Sequence, residues 1–152
     1  MRKFGKVFLG FLLSIIIAAL TASLLSTQFV VAGLEQAGAQ IDWGTRIDMT
    51  LYDLGHMGSL YGGIIFLGFG IAFPAAALVH HFAKTKRTFI YVVSGMTSFL
   101  VILYLLQTVF FGVQIVAGAR TTLGIALQAL TGGLGGYVFA KLTDGKKLVG
   151  NT

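Results

Sequence analysis

Charged residues divide the chain into long uncharged intervals. None occurs between Lys6 and Glu35, between Asp53 and Lys84, between Arg87 and Arg120, or between Arg120 and Lys141. A helix that crosses a lipid bilayer needs about 20 consecutive, mostly apolar residues. Each interval supplies such a run, so the pattern predicts four transmembrane helices, over residues 7–28, 59–83, 89–111 and 121–140. Residues 29–58 form the first outer loop. The fold class expected is an all-α integral membrane protein, a four-transmembrane-helix bundle with a long, partly helical first outer loop, and residues 1–152 are read as a single membrane domain.

The first apolar run follows Arg2, Lys3 and Lys6, as a signal peptide would, with the small residues Ala19, Thr21, Ala22 and Ser23 further on. It continues through Leu24, Leu25, Phe29, Val30 and Val31, which exceeds a normal signal core. An uncleaved anchor is therefore expected.

Small residues set the expected packing, because helices in lipid associate where their backbones can approach closely, typically at four-residue spacing. In the first helix Gly10, Ser14, Ala18, Ala22 and Ser26 form such a stripe, and in the fourth Gly124, Gln128, Gly132, Gly136 and Ala140 do the same. In the second helix Gly58, Gly62, Gly70 and Pro74 share a face interrupted by Phe66, and Pro74 frees a carbonyl one turn earlier, which predicts a kink near Gly70. The third helix, rich in Val, Ile, Leu and Phe, is expected to be the most lipid-exposed.

The loop of residues 29–58 is too long for a plain helix connection. Within it Trp43, Ile47, Leu51 and Leu54 recur at helical spacing, and Asp42, Arg46, Thr50 and Asp53 line another face. This predicts a short amphipathic helix with Arg46 near Asp42, either lying in the interface or extending the second helix until Gly55 and Gly58 weaken it. Its expected role is a lid on the bundle or a docking surface. Trp43, Arg46, Asp48, Asp53 and Arg120 are its candidate contact residues, with Arg120 expected to pin the loop through one of Glu35, Asp42, Asp48 or Asp53.

Charge distribution then orients the chain. Of eleven Lys and Arg residues, nine precede the first helix, lie between the second and third, or follow the fourth. By the positive-inside rule these segments and both termini are cytoplasmic. Trp43, Tyr52 and Tyr61 fall near the outer interface and Tyr91 and Tyr137 near the inner one, while Tyr104 falls near mid-membrane. Hydrophobic residues make up 56% of the chain and charged ones 11%, too little polar material to cover a soluble globule. The net charge of +6 fits topology and anionic lipid, so the bilayer is the expected partner and nucleic acid is not. A bacterial cytoplasmic membrane is the expected location.

Candidate chemistry is sparse. Cysteine is absent, which excludes disulfides, thiolate catalysis and Cys-ligated metals. No span carries a central Asp, Glu, Lys or Arg, the usual mark of a proton or ion pathway. His56 falls just outside one end of the second helix and His80 at the other, which at a helical rise puts them about 36 Å apart, and the adjacent His80 and His81 point about 100° apart. The glycine cluster from Thr131 to Gly136 lacks the Lys and Ser or Thr of a phosphate loop. Gln107, Gln114 and Gln128, with Tyr104, form a candidate polar line. No nucleophile, base and orienting group assemble by spacing, so no catalytic, cofactor or metal residues are expected. The expected function is a small non-catalytic multi-pass membrane protein acting through helix packing and its outer loop, as an accessory or assembly component of a membrane complex. The alternative is a homo-oligomeric channel or facilitator for a small solute, lined by Gln128, the break at Pro74 and Ser or Thr hydroxyls.

Overall fold

A computed structural model describes residues 2–83, 85–111 and 116–144. Lys84, Gln114, Lys146 and Lys147, used in the charge and polar-line readings, lie outside the described residues. The described chain is all-helical: α1 (Arg2–Gln36), α2 (Trp43–Ala83), α3 (Arg87–Val109), a short 3-10 turn (Ala117–Ala119) and α4 (Thr122–Leu142). Four of these helices are long and apolar enough to cross a membrane. Each packs on its neighbour in sequence, and α4 closes back on α1.

Local signals fix the helix ends. α1 stops at Gly38, whose φ of +93° suits a residue without Cβ. There the Ala39 N–H reaches the Leu34 carbonyl at 3.0 Å and the Gly38 N–H reaches Glu35 at 3.0 Å, the paired bonds of a left-handed helix stop. Asp42 starts α2 by accepting the Gly44 N–H at 3.0 Å and the Thr45 hydroxyl at 2.5 Å. Thr121 caps α4 by accepting the Gly124 N–H at 3.0 Å.

Glycines decide how α4 packs. A Cβ on Gly132 would collide with the Gly95 carbonyl oxygen, one on Gly95 with the Gly132 carbonyl, and one on Gly136 with the Tyr91 carbonyl. α3 and α4 therefore touch backbone to backbone, which residues with side chains forbid. Other hollows on α4 receive bulky side chains: a Cβ on Gly135 would sit 2.7 Å from Phe69, and one on Gly133 would sit 2.8 Å from Met96. The space so opened holds an aromatic core. Phe69 stacks on Phe73 and Phe73 on Phe139, both with centroids 4.5 Å apart, and Tyr91 lies 5.1 Å from Phe139. Such pairs add about 0.5–1.5 kcal/mol each beyond area burial.

The α1 stripe is buried from Ser14 through Ala18 and Ala22 to Ser26. At its beginning, a Cβ on Gly10 would approach Thr143 to 2.8 Å. At this end, which holds the described parts of both termini and is called the terminal end below, Arg87 donates to the Ala140 carbonyl at 2.8 Å and to the Thr143 hydroxyl at 2.5 Å. Its guanidinium also lies 4.9 Å from the Tyr91 ring centre.

Several expectations need correction. Gly62 and Gly70 would meet no atom within 4 Å if they carried a Cβ, and Pro74 is exposed, so these three do not form a close-packed face. α2 turns Ile65, Phe69, Phe73 and Ala76 inward instead, because the glycines of α4 leave room for rings that a tighter interface would exclude. α2, and not α3, is the most exposed helix: 22% of its apolar window is buried, against 33% for α3. Tyr91, Gly95, Ser98, Phe99 and Leu103 hold α3 inward. α1 runs to Gln36 and α2 begins at Trp43, so most of the expected loop is helix. Gly55 and Gly58 interrupt nothing.

Candidate functional site

α2 has 41 residues, about 62 Å at a rise of about 1.5 Å per residue, roughly twice the ~30 Å hydrocarbon thickness of a bilayer. Its first part and the end of α1 run antiparallel as a helical hairpin, and this end of the bundle is called the hairpin end. Arg46 pairs with Glu35 at 3.4 Å, and the Thr27 hydroxyl donates to Asp53 Oδ2 at 2.8 Å. Arg46 and Asp53 belong to the polar stripe of the amphipathic pattern, so that stripe faces α1. Most of the apolar stripe faces away: Trp43 is 75% exposed, Ile47 55% and Leu51 64%, while Leu54 is half-buried.

This orientation inverts the usual arrangement of an amphipathic helix on a fold. It follows from what α1 offers there, because its inner face carries Ser23, Ser26 and Thr27, hydroxyls suited to carboxylates. Arg46 does not pair with Asp42 as expected. The Asp42 carboxylate is occupied by Thr45 and Gly44, and the Thr45 hydroxyl and N–H, with the Gly44 N–H, hold its pKa below the ordinary value.

Between the hairpin helices lies a cavity of about 560 Å³ lined by Ser23, Ser26, Asp48, Tyr52, Asp53 and Tyr61, among others. Ser26 accepts the Gly118 N–H at 3.2 Å, which ties the 3-10 turn to α1. Close by, Gln128 donates from Nε2 to the Ala22 carbonyl at 3.1 Å, and a Cβ on Gly118 would come within 2.7 Å of that nitrogen. Leu103, Val116 and Ala119 form an apolar cluster at this end, with Tyr61 packed against it. The Ser23 hydroxyl, Arg46 Nε and Gln128 Oε1 are buried with no hydrogen-bond partner among the described residues. A buried polar group left unsatisfied costs about 1–3 kcal/mol, so three at one end single that end out.

Of the expected contact residues, Asp48 and Asp53 meet at this cavity, Arg46 serves the hairpin, and Trp43 lies on its far face. Arg120 is exposed after the 3-10 turn, and its N–H reaches the Ala117 carbonyl at 3.3 Å. Gln128 is fully buried, whereas Tyr104 is 67% exposed, so the two do not form one interior line. His56 stacks on Tyr52 with centroids 4.2 Å apart, while His80 and His81 lie at the other end of α2. Thr27 and Gly118 carry no motif that marks them in the sequence. The closely spaced hydroxyls Ser23, Ser26 and Thr27, preceding an acidic loop, were the available signal.

No family model, no curated protein and no solved structure matches the chain.

Proposed function

We propose that the chain is a non-catalytic multi-pass membrane protein that docks its projecting hairpin onto another membrane protein, as an accessory or assembly component of a complex. Both termini are placed in the cytoplasm of a bacterial cell, with the hairpin on the opposite side of the cytoplasmic membrane. The observation that carries this is the outward-facing row of Trp43, Ile47 and Leu51 on a helix whose polar stripe is used internally. Even tilted by about 40°, a helix of this length rises about 47 Å along the membrane normal, so this row stands clear of the hydrocarbon. Exposed apolar surface in water favours a protein partner. The orientation is supported by the nine basic residues that in sequence precede the first helix, lie between the second and third or follow the fourth, against four acidic residues, Glu35, Asp42, Asp48 and Asp53, around the first loop.

Native mass spectrometry of gently extracted complexes tests this. A stoichiometric foreign subunit, lost in the Ile47→Glu variant, is the expected result. A lone chain, or binding indifferent to Ile47→Glu, would overturn it.

A homo-oligomeric channel is the second reading. An aromatic stack from Phe69 to Phe139 fills the middle of the single bundle, so any pore would run between copies. The broad apolar groove of about 800 Å³ between α2 and α3 offers a surface for self-association. Gln128 would not line such a pore, being fully buried against α1. A pure homo-oligomer in the same experiment would favour this alternative.

A further inference from the structure

We propose that the cavity at the hairpin end binds a small primary organic ammonium ion, a ligand role separate from docking. Its volume of about 560 Å³ lies within the roughly 300–1,000 Å³ of small-molecule sites. Two carboxylates, Asp48 and Asp53, line it, and no basic side chain does so among the described residues. That balance selects a cation.

The buried hydroxyls narrow the class. Ser23 is 2% exposed, lines the cavity and has no hydrogen-bond partner among the described residues, and Tyr61 lines the same cavity with its hydroxyl beside Ser26. Hydroxyl oxygens accept hydrogen bonds, so both sites suit the N–H groups of a primary ammonium better than a quaternary one. Thr27 already occupies one face of Asp53 through Oδ2 at 2.8 Å, which fixes the carboxylate and leaves its other lone pairs for a ligand. Tyr52 and Tyr61 add aromatic rings to the lining, Tyr52 with one face already stacked on His56.

A hard metal ion fits less well. Calcium takes about six to eight oxygen ligands, whereas the described residues hold no group of three His, Cys, Asp or Glu side chains able to share a metal. The remaining lining includes Val30, Met49 and Ala117, which suits the carbon body of an organic ion.

Calorimetric titration of the full chain in phosphatidylcholine nanodiscs with benzylammonium chloride tests this, with empty nanodiscs as background and benzyl alcohol as the neutral control. Saturable binding of benzylammonium and none of benzyl alcohol is expected. Asp53→Asn should weaken binding about two- to fivefold, as for loss of a partly screened ion pair. Asp48→Asn, which leaves the Thr27 bond untouched, should weaken it similarly and guards against a folding defect in the first variant. Absence of saturable binding, equal binding of the alcohol, affinity unchanged in both variants, or displacement by an equal concentration of calcium would each overturn the proposal.

Discussion

Thr27 on α1 donates its hydroxyl hydrogen to Asp53 on α2 at 2.8 Å. This bond and the Arg46–Glu35 pair fix the rotation of the hairpin half of α2, and that rotation leaves Trp43, Ile47 and Leu51 facing away from α1. Of the two, the Thr27 bond is expected to matter more. It is largely buried, whereas the ion pair is half-exposed and belongs to a class worth about 0–1 kcal/mol.

Thr27→Val keeps the shape of this fully buried side chain and removes the donor. Stability should fall by about 1–2 kcal/mol, and protease cleavage within the hairpin should quicken. Thermal unfolding and limited proteolysis of the purified chain check both effects; unchanged values would mean that the hairpin register is set elsewhere.

Glycines that look alike in sequence should behave oppositely. Gly132→Ala and Gly136→Ala place a methyl group against backbone carbonyls of α3, which cannot swing aside as a side chain can. Each should destabilise by about 1–3 kcal/mol or more. Gly70→Ala meets open space and should be neutral or stabilising by up to about 1 kcal/mol through helix propensity. Unfolding midpoints of the three variants, measured side by side, provide the comparison.

Gln128→Leu should be tolerated to within about 1 kcal/mol, because it removes a modest interhelical bond together with a carbonyl oxygen that has no partner. Gln128→Ala leaves a void in the same buried place and should cost about 2 kcal/mol or more. If the leucine variant proved the worse of the two, water or a ligand on Oε1 would be indicated.

Asp42 has its pKa lowered by bonds from the Thr45 hydroxyl and N–H and the Gly44 N–H. A carboxyl whose folded pKa is depressed contributes stability above its unfolded value, and loses it as pH falls through the folded value. The start of α2 should therefore keep its cap above pH 3.8, the ordinary value, and loosen only at lower pH. A carboxyl-carbon NMR titration should give an Asp42 midpoint below 3.8, moving up in Thr45→Val.

The spacing of charges made the four apolar helices legible, because a charge within lipid is costly enough to be excluded from whole intervals. The stripes of α1 and α4 were legible for a related reason, since small residues at four-residue spacing leave few other uses. The inward face of α2 was not. Gly62, Gly70 and Pro74 share the spacing of a packing stripe, yet what α2 buries depends on the hollow at Gly135, more than sixty residues from the Phe69 that fills it. The amphipathic pattern in 42–54 was visible, but its orientation was hidden. Apolar faces normally turn inward, and the polar partners on α1, Thr27 and Glu35, reverse that here. Gly55 and Gly58 suggested a break, yet α2 runs unbroken through both.

The central claim is that the Trp43, Ile47 and Leu51 face meets another membrane protein. Photocrosslinking in intact native membranes tests it most directly, with a benzophenone amino acid placed at Ile47 and, as a lipid-facing control, at Ile71, which is 75% exposed in the apolar part of α2. A discrete adduct to a different protein from position 47, and only lipid adducts from position 71, is the expected result. Lipid adducts alone from both positions, or a homodimer from position 47, would contradict the claim.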